Sequence, residues 1–385
     1  MLRIAHMADM HLGFRAYTRS TPQGINAREA DVACAFRCAL EAVVRLRPDL
    51  ILVAGDHFHS TRPPNHAVIN AFRRWSWVRE QLPETPIVIA AGNHDLPRTA
   101  DAGCILRLFT EIPGVRVALE PTTFRFDQFS VRCLPESPRP IDISEPDPTA
   151  RYNVLVAHGE TPAMAARWSG DLRPHNTLDV SRFAGWDYVA LGHYHVAHPV
   201  TKNAWYSGSL EYTSSNAWDE LREEQERGLT SKGWLLVTLG EDGPRIEFQP
   251  VPTRAFVDLP AIDAAGLPAA DVMDGIAAQL PAQLAGVVVR QKVLNLAKDT
   301  IQGLDHERIR AWKGEALHFQ LDLCRAAPAP VNGMGNGLRK RPSVAEAMAD
   351  FFSRRELPPD MDRKAFLDGA GRLLAEATAA DEAQQ

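Results

Sequence analysis

Five short segments of the chain concentrate residue types that bind metal ions. They are ADMH with Asp9 and His11, GDHFH with Asp56, His57 and His59, GNHD with Asn93, His94 and Asp95, AHGE with His158, and GHYH with His193 and His195. Imidazole, carboxylate and amide oxygen together suit manganese, iron or zinc, and the donor types alone do not choose among them. No cysteine falls in any segment, which disfavours thiolate-rich zinc or iron–sulfur chemistry. Asp9, Asp56, Asn93, His11, His158, His193 and His195 exceed what one tetrahedral ion uses, with His94 left over. A centre of two ions bridged by a carboxylate is the economical reading. Two ions ~3.5 to 4 Å apart clamp phosphate oxygens and generate hydroxide at neutral pH, which is the chemistry of phosphoester hydrolysis.

Ligands so far apart in the sequence need a sheet to bring them together. Each segment follows a short apolar run that reads as a buried strand: residues 2–8, 50–54, 87–91, 154–157 and 188–191. Helical spacing of apolar residues over 28–47 and 64–82 separates the first three runs. Strands alternating with helices predict an α/β domain whose strand ends carry the ligands. Glycines before Asp56, Asn93 and His193 let the chain turn as each strand ends. Extended alternation in Asp9-Met10-His11 and His193-Tyr194-His195 would send the outer pair one way and the middle residue inward. Later runs at 129–134, 205–207, 234–239 and 246–248 lack intervening helices, which predicts a mixed or two-sheet layer closing a first domain near residue 250.

Beyond it, residues 251–325 read as a small α/β unit, and the Pro- and Gly-rich stretch 326–342 as a linker. In the tail, 343–385, Ser343 and Glu346 form a capping-box pattern before an amphipathic helix, and a second helix follows around 361–379. Two short amphipathic helices cannot bury their apolar faces alone, so they are expected to dock on the body or on another protein.

The chain of 385 residues carries a net charge of −6, with 45% hydrophobic and 23% charged residues, which excludes global disorder and a purely electrostatic nucleic-acid binder. Its 5 cysteines lack paired spacing and fit a reducing compartment. No apolar run approaches the ~20 residues that span a bilayer, so a soluble, cytoplasmic protein without membrane contact is expected. Eleven of the 13 histidines lie at or before His198. That crowding is what a metal centre in the first domain would produce.

In D-x-H, GD, GNH[DE], H and GHxH order, the segments resemble the calcineurin-like metallophosphoesterase superfamily. ADMHLG, GDHFH with Pro63 and Pro64 soon after, GHYH and YSGSLEYTS over 206–215 bring the resemblance closest to the SbcD-type nucleases of DNA double-strand break repair. It covers residues 1 to about 250 through motifs, and the later segments by position alone. The resemblance implies a two-sheet sandwich flanked by helices (1–250), a small α/β capping domain (251–325), a linker (326–342) and a helical tail (343–385). It further implies that Asp9, His11, Asp56 and His195 hold one divalent ion, Mn²⁺ by preference. Asp56 would bridge to a second ion completed by Asn93, His158 and His193. His94 would face the scissile phosphate as a catalytic residue, and His59 would orient a ligand. The implied reaction is in-line attack of a metal-bound hydroxide on DNA phosphodiester bonds, as exonuclease or endonuclease, in a homodimer whose tail docks on an SMC-like ABC ATPase. A phosphodiesterase or phosphatase for a small nucleotide or phosphoprotein is the alternative.

Other features read as structural. His57 stands where the family usually has a hydrophobic residue and is expected to point inward, His6 to be a satisfied core residue, and Cys34 and Cys38 to pack in or near the core. Trp77 is expected on the exposed side of its helix, as part of a contact surface or incidentally. The basic run Arg339, Lys340 and Arg341 reads as solvated linker, with a DNA contact as the alternative, and the stretch GMGNG as flexible linker.

Overall fold

The computed structural model describes residues 1–97, 103–137, 143–165 and 177–326, together with 362, 366 and 369. The chain divides by its internal contacts into Met1–Ala326 and Ala327–Gln385. The linker and tail helices expected from the sequence therefore lie almost wholly outside the described residues, as do the basic run and GMGNG.

The first sheet starts with the apolar runs. Strands β1 (Leu2–Met7), β2 (Leu50–Ala54), β3 (Ile87–Ala90) and β4 (Val115–Ala118) pair in parallel in that order. Helix α1 (Ala27–Leu46) joins β1 to β2, and α2 (Asn65–Gln81) joins β2 to β3. The side chain of Asn26 caps α1 by accepting from the backbone N–H groups of Arg28 and Glu29. Alternate strand residues serve opposite faces. Ala5, Met7, Ile51, Val53, Ile87 and Ile89 pack with Phe36 and Leu40 of α1 and with Trp75 of α2, while Ile4, Leu52, Ala54, Val88 and Ala90 face the other way.

That other face meets a second sheet. It contains β5 (Thr122–Arg125), β6 (Phe129–Leu134), β7 (Tyr152–His158), β8 (Tyr188–Gly192), β9 (His198–Pro199) and β10 (Ala204–Tyr206), in spatial order β5-β6-β7-β8-β10-β9. A single turn, α3 (Pro162–Ala165), follows β7, and α4 (Ala217–Glu226) follows β10. The chain then returns to the first sheet with β11 (Gly233–Gly240), antiparallel to β1, and β12 (Gly243–Pro250). Val131, Val154, Val156, Tyr188 and Ala190 complete the core between the sheets. The result is the expected mixed α/β sandwich with helices on its outer face.

A third sheet follows, in which β15 (Val288–Leu296) pairs in parallel with β13 (Phe256–Asp258), β14 (Ile262–Asp263) and β16 (His318–Arg325). Helices α5 (Ala269–Gln279), α6 (Lys298–Gln302) and α7 (His306–Glu315) accompany it, and Val272, Ile276, Val289, Val293 and Phe319 form a core of its own. Trp218 of α4 reaches this sheet, donating its Nε1–H to Gln320 Oε1 at 2.8 Å.

Two outward placements differ from expectation. Trp77 is half-buried and packs on the core beneath α2, because Ala67, Ala71, Trp75 and Val78 set the inward face and Trp77 lies at its flank. The exposed apolar residue of that helix is Ile69. Cys34 is exposed, beside Arg37, whereas Cys38 packs against the core.

His6 and His57 are fully buried, the first 2.8 Å from the Tyr188 hydroxyl and the second accepting the Trp75 indole N–H at 2.7 Å. Burial pulls both imidazoles down to about 3. Both rings are thus neutral in the fold, while the unfolded chain protonates them below ~6.5. Their contribution is complete above that pH and is lost as the pH falls towards 3. Unfolding free energies from urea titrations should drop by up to about 1.4 kcal/mol per pH unit for each ring below pH ~6.5. A flat profile from pH 7 to 5 would mean that the rings are charged in the fold.

Candidate metal centre

The sheets of the sandwich end along a common edge. Asp9 and His11 follow β1, Asp56 follows β2, and Asn93 and His94 follow β3. From the facing sheet, His158 closes β7, while His193 and His195 follow β8. The ligand-bearing loops of β1 and β2 are joined by backbone bonds from Asp9 N to Gly55 O (3.1 Å) and from His11 N to Asp56 O (3.0 Å). The expected strand-like alternation does not produce this arrangement. Asp9, His11, Asp56 and His193 have φ of 51°, 47°, 49° and 104°, left-handed backbone that side chains other than glycine seldom adopt. Met10 does point into the core, but because the chain coils back there rather than because it is extended. Backbone strain gathered at these positions is characteristic of a functional site.

Three groups of donors result among the described residues, the donor atoms of each within 4.8 Å of one another: Asp9, His11 and His195; Asp56, His158 and His193; and His11, His59 and His94. The first two carry the carboxylates. Asp56 Oδ2 lies between them, 3.7 Å from His11 Nε2 and 3.5 Å from His158 Nε2. Asn93 Oδ1 joins the second group, 3.0 Å from His158 Nε2 and 3.3 Å from His193 Nδ1. The ring nitrogens of His11 and His195 approach to 3.1 Å.

Supports behind these donors fix which ring nitrogen faces inward. His158 donates its Nδ1–H to the Ala54 carbonyl at 2.9 Å, which turns Nε2 inward towards Asp56 and Asn93. His195 Nδ1 is 3.0 Å from Glu220 Oε1, and His193 Nε2 is 3.3 Å from Glu160 Oε1. Asp95 is completely buried and accepts backbone N–H bonds from Gly92 (3.0 Å), His57 (3.1 Å) and Phe58 (2.9 Å), so it clamps the GDHFH and GNHD loops together. Burial, with the charge of Asp56 close by, raises its carboxyl to about 7. Sequence reasoning quoted Asp95 and Glu160 inside motifs without giving them work, and it missed α4, which carries Glu220. The signal for that helix is thin: Trp218 and Leu221 on one side, with acidic residues in the first turn.

His94 donates its Nδ1–H to the His59 carbonyl at 2.7 Å, and its backbone N–H to Asp56 Oδ1 at 2.9 Å. Its ring lines a cavity of about 410 Å³ shared with His11, Asp56, Asn93, His193 and His195. His59 lines the same cavity, with Nδ1 3.4 Å from His11 Nδ1, while His57 stands away from it among Phe36, Phe58, Trp75 and Phe109.

Divalent cations fit this donor set. Burial pushes the Asp9 carboxyl up, and although burial opposes charge on His158 as well, Asp56 and Asp9 outweigh it and lift that imidazole to about 10. Buried carboxylates and inward-facing nitrogens thus call for positive charge between them. The site also leaves no spare room at its glycines. A Cβ on Gly92 would lie 2.2 Å from Asp56 Oδ1, and one on Gly55 would lie 2.0 Å from His158 Nδ1, where φ is already +94°. Gly92→Ala should therefore displace Asp56 and cost at least tenfold in bound Mn²⁺, measured by atomic absorption after gel filtration, with the far-ultraviolet circular dichroism unchanged.

A family model described as calcineurin-like phosphoesterase matches residues 2–197, more than half of the chain and all of the donor segments. The chain belongs to this phosphoesterase family. Among its curated relatives, the DNA double-strand break repair protein Mre11 of Methanococcus maripaludis is 32% identical over 113 residues, 29% of this chain and 28% of that protein. Mre11 of Methanopyrus kandleri is 27% identical over 293 residues, covering 69% of this chain and 60% of that protein. Mre11 of Aeropyrum pernix is 26% identical over 274 residues, covering 66% and 62% respectively. The chain thus spans less than two thirds of the length of each of these relatives. The crystal structure of Pseudomonas putida nuclease MPE is 20% identical and covers 38% of this chain and 57% of that one, with a TM-score of 0.19, too low to bear on the fold.

Proposed function

We propose that this phosphoesterase is a dinuclear, metal-dependent DNA nuclease that acts in double-strand break processing. The observation that carries the reading is the pair of donor groups about one shared carboxylate, Asp56, with His94 facing the same cavity. Asp9, His11, Asp56 and His195 would hold one ion, and Asp56, Asn93, His158 and His193 would hold a second. Divalent ions bound there supply charge neutralisation at phosphate oxygens and a water acidified towards neutral pH. The chain's own residues do the rest. Asp56 and Asn93 fix the spacing of the groups, the Ala54 carbonyl and Glu220 fix the tautomers of His158 and His195, and His94 stabilises the transition state or protonates the leaving oxygen through Nε2. Manganese is the proposed native metal on the resemblance to the SbcD-type nucleases, since mixed oxygen and imidazole donors suit iron and zinc as well.

The relatives' names supply the DNA repair setting. Residues 251–325 serve as a cap over the substrate path. The tail, 343–385, docks on an SMC-like ATPase, and the exposed face of α2 around Ile69 contributes to a homodimer. All five cysteines are free, as in a protein of the reducing cytoplasm, and no described helix is long and apolar enough to cross a membrane. One observation favours the second reading, a small nucleotide or a phosphoprotein as substrate: besides the donors, the described lining of the cavity carries Glu160, Asp219, Glu220 and Glu223 and no lysine or arginine. Purified protein with Mn²⁺ should be assayed on single- and double-stranded DNA beside bis-p-nitrophenyl phosphate. Cleavage of all three is expected. Cleavage of the small ester alone, even with the ATPase added, would overturn the DNA reading.

A further inference from the structure

Behind the first donor group lies a buried cluster of charge, of which the proposed reaction uses Glu220 alone. Lys232, one residue before β11, is 1% exposed. Its ammonium donates to the His195 carbonyl at 2.9 Å, pairs with Glu224 at 2.8 Å and pairs with Glu220, so all three of its N–H groups are used. Glu220 and Glu224 lie one turn apart on α4 and are 8% and 3% exposed. The second oxygen of Glu224 accepts the Tyr212 hydroxyl at 2.7 Å. Glu220 divides its carboxylate between two donors, Oε2 to Lys232 and Oε1 to His195 Nδ1. Lys232 therefore grips His195 twice, at its backbone and through Glu220 at its ring.

We propose that Glu220 and Lys232 act together as positioning residues that lock His195 in the tautomer with Nε2 free for a metal ion. The proposal rests on the dinuclear reading above and goes beyond it by giving Lys232 a part in holding Glu220 and His195 in place. A carboxylate oxygen facing Nδ1 accepts the ring proton there, and the Lys232 ammonium on the other oxygen fixes the orientation of that carboxylate. Lys232 thereby acts on the metal site without touching it.

The arrangement has an unusual genetic consequence. In Glu220→Gln the amide oxygen turns to the ammonium of Lys232, because an NH₂ group facing an NH₃⁺ group leaves two donors opposed. The amide NH₂ then faces His195 Nδ1 and drives the proton to Nε2, where it blocks the ion. Adding Lys232→Met frees the amide oxygen to turn back and accept from Nδ1. The second substitution should thus repair the first, whereas a merely structural role predicts further loss.

The test is Mn²⁺ binding to the full chain, followed by calorimetry and by the electron paramagnetic resonance of free Mn²⁺, which needs no catalysis. Two sites are expected in the unaltered protein. Glu220→Gln should weaken one of them by roughly 10- to 100-fold and leave the other within twofold. The pair Glu220→Gln with Lys232→Met should recover at least part of that loss, with thermal melting confirming that both variants fold. Two full-strength sites in Glu220→Gln, or a double variant weaker than the single, would overturn the positioning role alone. Absence of Mn²⁺ sites in the unaltered protein would overturn the dinuclear reading and the lock with it.

Discussion

His94→Ala should abolish phosphodiester hydrolysis while the protein keeps its full metal content. The ring is tied at Nδ1 to the His59 carbonyl and reaches the cavity with its other nitrogen, and it stands outside the two groups built around Asp56. Removing it leaves the backbone N–H bond to Asp56 in place, so the shared carboxylate keeps its position. General acid catalysis and charge stabilisation by one group are worth about 10² to 10⁴ in rate. Measured with Mn²⁺ on bis-p-nitrophenyl phosphate and on DNA, the variant should lose at least a hundredfold in kcat, with metal stoichiometry unchanged by atomic absorption. If metal leaves together with activity, His94 is a ligand, and the third donor cluster of His11, His59 and His94 becomes its site.

Asp56→Asn is expected to act on both ions. Oδ1 of Asp56 is committed to the His94 backbone, so Oδ2 alone faces both donor groups. An amide there presents either a donor to the ions or, if flipped, a donor to the His94 N–H, and neither arrangement is tolerated. The charge that holds two cations near one another is lost as well. Loss of about 4 kcal/mol of transition-state stabilisation corresponds to roughly 10³ in kcat/KM. Bound Mn²⁺ should fall below one ion per chain in the same preparation. Retention of both ions with only a modest rate loss would show that Asp56 does not bridge.

How much of this is legible in the sequence depends on the physics of each part. The five segments can be read because each donor follows an apolar run that can only be a buried strand, and parallel strands end side by side. The unbroken apolar run through Leu52 and Val53 likewise announces a strand buried on both faces. Left-handed backbone at Asp9 and His11 cannot be read, since nothing in those residue types marks it and only the closure of the β1 and β2 loops enforces it. Helix α4 escapes for a different reason. Its working residues are charged and buried by tertiary contacts with Lys232 and Tyr212, so the sequence AWDELREEQE looks like a solvated surface. His57 is the reverse case, a polar residue inside a ligand motif that belongs to the aromatic core.

The donors are divided between two sheets, with Asp9, His11, Asp56 and Asn93 on one and His158, His193 and His195 on the other. An ion held across that seam binds the folded chain and has no equivalent site in the unfolded one, so at a hundred times its dissociation constant it adds about 2.7 kcal/mol of stability. Scarcity of metal would then shorten the protein's life as well as silence it. Proteases that sample the unfolded chain would clear apo molecules first, leaving a population weighted towards those still able to cut.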